Sequence, residues 1–208
     1  MTPFQRFLIR RRARRPDSPR RDEMLAELLS GIGGCVIEVG CGTGFLFSHY
    51  PSTVTELTAI EPESEAREAA ICSAAQLNRS VRILDLADQR LPVESGTFDA
   101  AVCFEVLCSA TDSARLLSEI KRVLRPGGTL RIVEHVRSQN PAFALFQGVV
   151  DRVGWPRLLG GCHTSRDTQS AIEDAGFEWI KLRRIWHAPM IMLTPAAPHI
   201  VGCARPVI

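Results

Sequence analysis

The stretch Val36-Ile37-Glu38-Val39-Gly40-Cys41-Gly42-Thr43-Gly44 decides the fold. Its first four residues read as a buried strand, and three glycines at alternate positions end that strand in a turn. A segment that can begin a helix, Gly44–His49, follows. Glycine lets the backbone turn sharply and leaves no Cβ in the way of an approaching ligand. In an open parallel sheet such a loop lies at the carboxyl edge of the first strand, where ligands bind beside the reversal of strand order. A dinucleotide fingerprint needs its third glycine three residues after the second, but position 45 is Phe, so a nicotinamide cofactor is disfavoured.

Outward from this loop, short apolar runs alternate with helical patterns, as parallel strands joined by crossover helices require. Strands are expected at 35–39, 54–60, 80–84, 98–104 and 129–134, with two more at 177–186 and 199–204. Helices are expected at 21–30, 62–76, 111–124 and 165–175, the third stopped by Arg125-Pro126-Gly127-Gly128. Residues 137–163 break the rhythm and read as an insertion after the fifth strand. It carries Phe143, Phe146 and Trp155, which are expected to form a substrate wall rather than merely cover the sheet edge, since the other loops are spent on the cleft.

The 208 residues leave room for one domain, 31–208, preceded by a basic arm and first helix, 1–30. Eight Arg and one Asp give residues 1–21 a charge of +7, leaving −5 on the remainder. The arm is either a solvated tail or a helical lid that packs Phe4 and Phe7 over a pocket. With an acidic remainder, no stable nucleic-acid complex is expected. No apolar run reaches the ~20 residues of a membrane span, and no signal peptide is expected. Seven cysteines, an odd number with no CxxC pair, argue against a disulfide scaffold and a zinc knuckle. They fit a cytoplasmic protein, and no metal site is assigned.

The second strand ends in Glu61, placed to accept both hydrogen bonds of a ribose diol. Asp88, with Ala87, follows the third strand and is either an adenine contact or an exposed turn residue, with Asp85 competing for the role. His135 directly follows the fifth strand and is the first choice for a base or substrate orienter, His199 the second. His163 ranks below them, and His49 reads as structural. Cys41, Cys103 and Cys108 read as small apolar packing residues rather than nucleophiles.

Four segments together resemble the class I S-adenosylmethionine-dependent methyltransferases. They are Glu38–Gly44, Glu61-Pro62, Leu91-Pro92 with Thr97-Phe98-Asp99, and Leu124–Leu130. Further stretches are similar to the alkyl thiol S-methyltransferases of the methyltransferase-like family. These are Val102-Cys103, Val106–Ser109, Glu134-His135-Val136, Gly161-Cys162, Arg166 and Pro198–Gly202. The resemblance implies a Rossmann-like, mostly parallel seven-stranded sheet, with S-adenosylmethionine as cofactor and S-adenosylhomocysteine as product. It implies a small-molecule acceptor, a thiol in preference to an oxygen, nitrogen or carbon acceptor. Those animal proteins begin with a hydrophobic anchor, where this chain has its arginine arm, so their membrane location is not expected here. By the same resemblance Glu38, Gly40, Cys41, Gly42 and Gly44 form the loop at the methionine end of the cofactor. Glu61 and Pro62 meet the ribose, and Phe104, Glu105 and Leu107 lie beside adenine or the sulfonium.

Overall fold

The computed structural model describes residues 19–86, 90–187 and 194–207. The arm before residue 19 and the adenine candidates Ala87 and Asp88 therefore lie outside the described residues. Helix α1 (Pro19–Leu28) leads into β1 (Gly34–Val39), a 3₁₀ turn (Phe45–Ser48), β2 (Val54–Ile60), α2 (Ser64–Gln76) and β3 (Arg82–Leu84). Then come β4 (Phe98–Phe104), α3 (Ser113–Val123), β5 (Leu124–His135), α4 (Pro141–Val153) and α5 (Trp155–Leu158). The chain ends with α6 (Thr168–Asp174), β6 (Phe177–Trp186) and β7 (Pro198–Pro206).

The strands form one seven-stranded sheet in the order β3-β2-β1-β4-β5-β7-β6. Strands β1 to β5 pair in parallel, and β7 runs antiparallel to both β5 and β6. The chain winds outward from β1 to β3, then returns to lay β4 on the other side of β1. That reversal opens a crevice beyond the carboxyl ends of β1 and β4, the position where such sheets bind ligands.

Period-two geometry sends Val36 and Ile37 to opposite faces of the sheet. On one face Ile37, Val39 and Ile60 pack with Leu117, Ile120 and Val123 of α3. On the other, Val36, Ala59 and Val102 pack with Phe47 and with Met24 and Leu28 of α1. Both faces are thus covered, which is why β1 is a nearly continuous apolar run. Helix α3 begins where Asp112 accepts a hydrogen bond from the Arg115 N–H at 2.9 Å, and Lys121 and Arg122 sit in its last turn.

Three local expectations are corrected. The residues Arg125-Pro126-Gly127-Gly128 do not simply stop α3. They lie within β5, where pairing shifts from Phe98↔Leu124 to Ala100↔Thr129. Proline, which has no N–H to give, is tolerated at such an irregularity. Residues 44–49 make one short 3₁₀ turn, because Gly44 takes a left-handed φ of 79° and starts no α-helix. The insertion contains the thirteen-residue α4, begun by Asn140, whose Oδ1 accepts from the Ala142 and Phe143 N–H groups, with Pro141 in the first turn. Buried Gln147 ties α4 down, since its Nε2 lies 2.9 Å from the Thr164 carbonyl and its Oε1 accepts from the Ser138 N–H.

Leu117 is fully buried between α3 and the sheet, whereas Ile71 on α2 is 54% exposed. Urea unfolding should show Leu117→Ala losing about 2–5 kcal/mol. Ile71→Ala should stay within about 0.5 kcal/mol of the parent. Equal losses would contradict this assignment of the core.

Candidate active site

A cleft of about 600 Å³ opens at the carboxyl ends of β1, β2 and β4. Gly40 and Gly42 form its floor, Glu61 and Pro62 one side, and Glu105, Val106 and Ser109 the other. Leu158, Leu159 and Gly160 of the insertion close one rim. Gly40 has φ 70°, and a Cβ there would come within 2.7 Å of Val106 Cγ2. At Gly42, φ 56° again favours glycine, and the space a Cβ would enter is open. The loop therefore packs tightly against the β4 segment at Gly40 and leaves room for a ligand at Gly42.

Glu61 joins the two sides of this floor. Its Oε2 accepts from the Gly42 N–H at 2.8 Å and its Oε1 from the Glu63 N–H at 3.0 Å. Burial raises its pKa, and these two N–H groups oppose the rise by favouring the anion. Glu38 is wholly buried behind the loop, and its Oε2 has no hydrogen-bond partner among the described residues. Burial pushes Glu38 up to about 8; the Tyr50 phenol opposes this, and the charge of Glu61 adds to it.

The segment after β4 is held from beneath by Glu134. This buried carboxylate accepts from the N–H groups of Val106 and Leu107, both at 2.8 Å, and of Cys108 at 3.1 Å. Arg166 donates from above to the carbonyls of Leu107 and Ala110. Glu105, with a left-handed φ of 57°, turns its side chain into the cleft wall. Its Oε1 lies 3.7 Å from Nε2 of both His135 and His199.

The two histidines pack against each other with ring centroids 4.5 Å apart. His199 Nδ1 donates to the Ala197 carbonyl at 2.9 Å, which leaves Nε2 as the acceptor of the neutral ring. That Nε2 is buried with no hydrogen-bond partner among the described residues. Burial lowers the His199 pKa, and the Glu105 carboxylate opposes this. His135 Nδ1 instead faces two sulfurs, Cys108 Sγ at 3.4 Å and Cys162 Sγ at 3.3 Å.

Of the residues singled out in the sequence, Gly40, Gly42, Glu61, Pro62 and Glu105 line the cleft together. Glu38, Cys41, Leu107 and both histidines are buried and do not line it. His135 was expected to open onto the cleft, but β5 carries it under the segment after β4. Glu105 stands between it and the cleft. Gly44 packs against Phe47 and Ala70, and Phe104 packs on Phe45, so neither lines the cleft. Phe143 and Phe146 also lie away from it, with Phe143 edge-on to Trp186 at 4.9 Å. His163 and His49 are exposed. Among the lining residues that sequence reasoning missed are the polar Glu63, Ser109, Thr111 and Asp112. Asp112 was legible as a helix cap, and its second role follows from where α3 begins.

A methyltransferase-domain family model matches residues 37–132. The mouse thiol S-methyltransferase TMT1B is 33% identical over 209 residues, covering 97% of this chain and 84% of that protein. The human thiol S-methyltransferase TMT1A is 35% identical over 173 residues, 81% of this chain and 69% of that one. A geranyl diphosphate methyltransferase solved in complex with SAM shares the fold, with TM-score 0.67 and 17% identity over 90% of this chain and 85% of that chain. The cleft suits S-adenosylmethionine, since Gly42 leaves room for backbone approach and Glu61 presents a carboxylate at the end of β2.

Two measurements check this site. Glu61→Ala should weaken S-adenosylhomocysteine binding at least about tenfold by calorimetry, the worth of a charge-assisted hydrogen bond. Stability should also depend on Glu38. A carboxyl raised from 4.5 to about 8 keeps its proton only in the folded state across that interval, so its contribution to stability falls as pH rises from 5 to 8. Glu38→Gln should therefore fall less in stability over that range than the parent, and an identical decline would refute the assignment. Fold, cleft and relatives together place this chain in the class I S-adenosylmethionine-dependent methyltransferases, in the family that includes TMT1A and TMT1B.

Proposed function

We propose that this methyltransferase acts on small, uncharged thiols. The observation that carries the reading is the charge of the cleft. Four carboxylates, Glu61, Glu63, Glu105 and Asp112, line it, and no Lys, Arg or His is among its described lining residues. The rest of the wall is mainly apolar, including Val39, Ile60, Leu86, Leu116, Leu158 and Leu159. Such a surface favours a sulfonium cation and repels an acceptor carrying a carboxylate or phosphate. The relatives named as thiol S-methyltransferases support sulfur as the accepting atom.

Bound S-adenosylmethionine supplies the methyl, which bonds to the acceptor sulfur while the electron pair of the broken C–S bond stays with S-adenosylhomocysteine. Little acid or base work is needed, because a thiol with an ordinary pKa near 8.5 is already partly thiolate at neutral pH. The protein's task is then to hold the sulfur in line with the methyl. Ile60, Leu116, Leu158 and Leu159 supply apolar contact for the acceptor's carbon chain. Glu105 orients the acceptor sulfur from the β4 side, and His135 and His199, each 3.7 Å from its carboxylate, hold Glu105 from behind.

A panel of acceptors of similar shape with labelled cofactor tests this. A neutral alkyl or aryl thiol should be methylated at sulfur at least about tenfold faster than its carboxylate-bearing analogue. The matching phenol and amine should react more slowly still. Preference for oxygen or nitrogen would overturn the acceptor class, and preference for anionic thiols would overturn the electrostatic reading. His199→Ala should lower kcat for the thiol with little change in cofactor affinity.

A further inference from the structure

Cys108, His135 and Cys162 come from three separate elements, the segment after β4, the end of β5 and the turn after α5. Their ligand atoms converge on one point. The two sulfurs are 3.8 Å apart, and His135 Nδ1 lies 3.4 Å from one and 3.3 Å from the other. In a tetrahedral zinc site with bonds of about 2.3 Å to sulfur and about 2.0 Å to nitrogen, sulfurs sit about 3.8 Å apart and sulfur and nitrogen about 3.5 Å apart. The observed triangle matches that geometry on every edge. We propose that Cys108, His135 and Cys162 are ligands of a zinc site.

Several surrounding contacts hold the triangle in place. Cys108 and Cys162 are fully buried and His135 is 2% exposed. The Glu134 carboxylate fixes the Cys108 N–H, and the His163 N–H donates to the Cys108 carbonyl at 2.8 Å, tying together the two turns that carry the sulfurs. The ring nitrogen of His135 that faces away from the sulfurs lies 3.7 Å from the Glu105 carboxylate. A carboxylate behind a ligating imidazole is the usual support for a zinc-bound histidine, because it fixes the tautomer and the ring orientation. The donor set also selects the metal. Two thiolates and an imidazole suit zinc, whereas magnesium and calcium need oxygen ligands and iron–sulfur clusters need more cysteines.

Among the described residues, no fourth Cys, His, Asp or Glu completes the Cys108–His135–Cys162 group. Ser109 lines the cleft and its Oγ lies 3.6 Å from Cys108 Sγ, so the group is one side chain removed from the cleft wall. The second candidate group, Glu105, His135 and His199, shares His135 and offers no thiolate.

The test uses full-length protein purified without an affinity tag or chelator. Elemental analysis should find about one zinc per chain. Cobalt substitution should give the sulfur-to-metal charge-transfer and visible d–d bands of a tetrahedral thiolate site. Cys162→Ser should lower bound zinc at least about tenfold, while Cys72→Ser, altered at an exposed cysteine, should retain it. Glu105→Gln should weaken zinc affinity by about 10–100-fold. Calorimetry with S-adenosylhomocysteine on each variant reports folding and the cofactor site separately, so loss of zinc is not confused with loss of the methyltransferase fold. Reduced protein that carries no zinc and takes up no cobalt would overturn the proposal. A Cys108–Cys162 disulfide in the freshly isolated protein, or copper in place of zinc, would also overturn it.

Discussion

Glu134 gives one carboxylate to three consecutive backbone N–H groups, at Val106, Leu107 and Cys108, and much of the site depends on that arrangement. A strand that ends at a cleft leaves N–H groups with no ladder partner, and leaving them buried and unpaired would cost more than any one contact returns. The carboxylate satisfies all three at once. Burial pushes Glu134 up to about 7, while the three donors pull the other way, and the balance keeps a charge-capable group beneath the cleft floor. With the segment fixed, Glu105 is aimed at the cleft, Val106 is pressed against Gly40, and Cys108 is brought to His135.

Glu61 does the corresponding work on the opposite side, joining the glycine loop to the start of α2 through Gly42 and Glu63. The cleft is thus framed by two carboxylates that hold backbone, and both frames sit at ends of parallel strands. This is a consequence of winding order. The reversal between β1 and β4 leaves those ends uncovered by crossover connections, so loops there are free to be shaped by a few strong polar contacts.

Much of this was legible in the sequence, for reasons that differ by element. Strands β2, β4 and β6 match their expected bounds, because β-branched and apolar runs between clear stop residues leave little choice of ends. Helix α4 was not legible, since Leu145, Val149 and Val153 are exposed and the apolar pattern that marks a core-facing helix is blurred. The loop glycines and Glu61 could be read because their spacing along the chain is itself the signal. The grouping of Cys108, His135 and Cys162 could not, because each neighbour along the chain is 27 residues from the next and only the fold brings them together. Glu134 was visible only as part of a resemblance, because a buried strand carboxylate has no periodicity to announce it.

Glu105 occupies backbone space that glycine or asparagine fills at less expense, since a left-handed φ costs an ordinary residue about 1–2 kcal/mol. Backbone strain alone would therefore favour glycine at this position, and what offsets it is a carboxylate that faces both His135 and His199. Laboratory evolution for heat tolerance would be drawn to this residue early, exchanging that carboxylate for a relaxed turn.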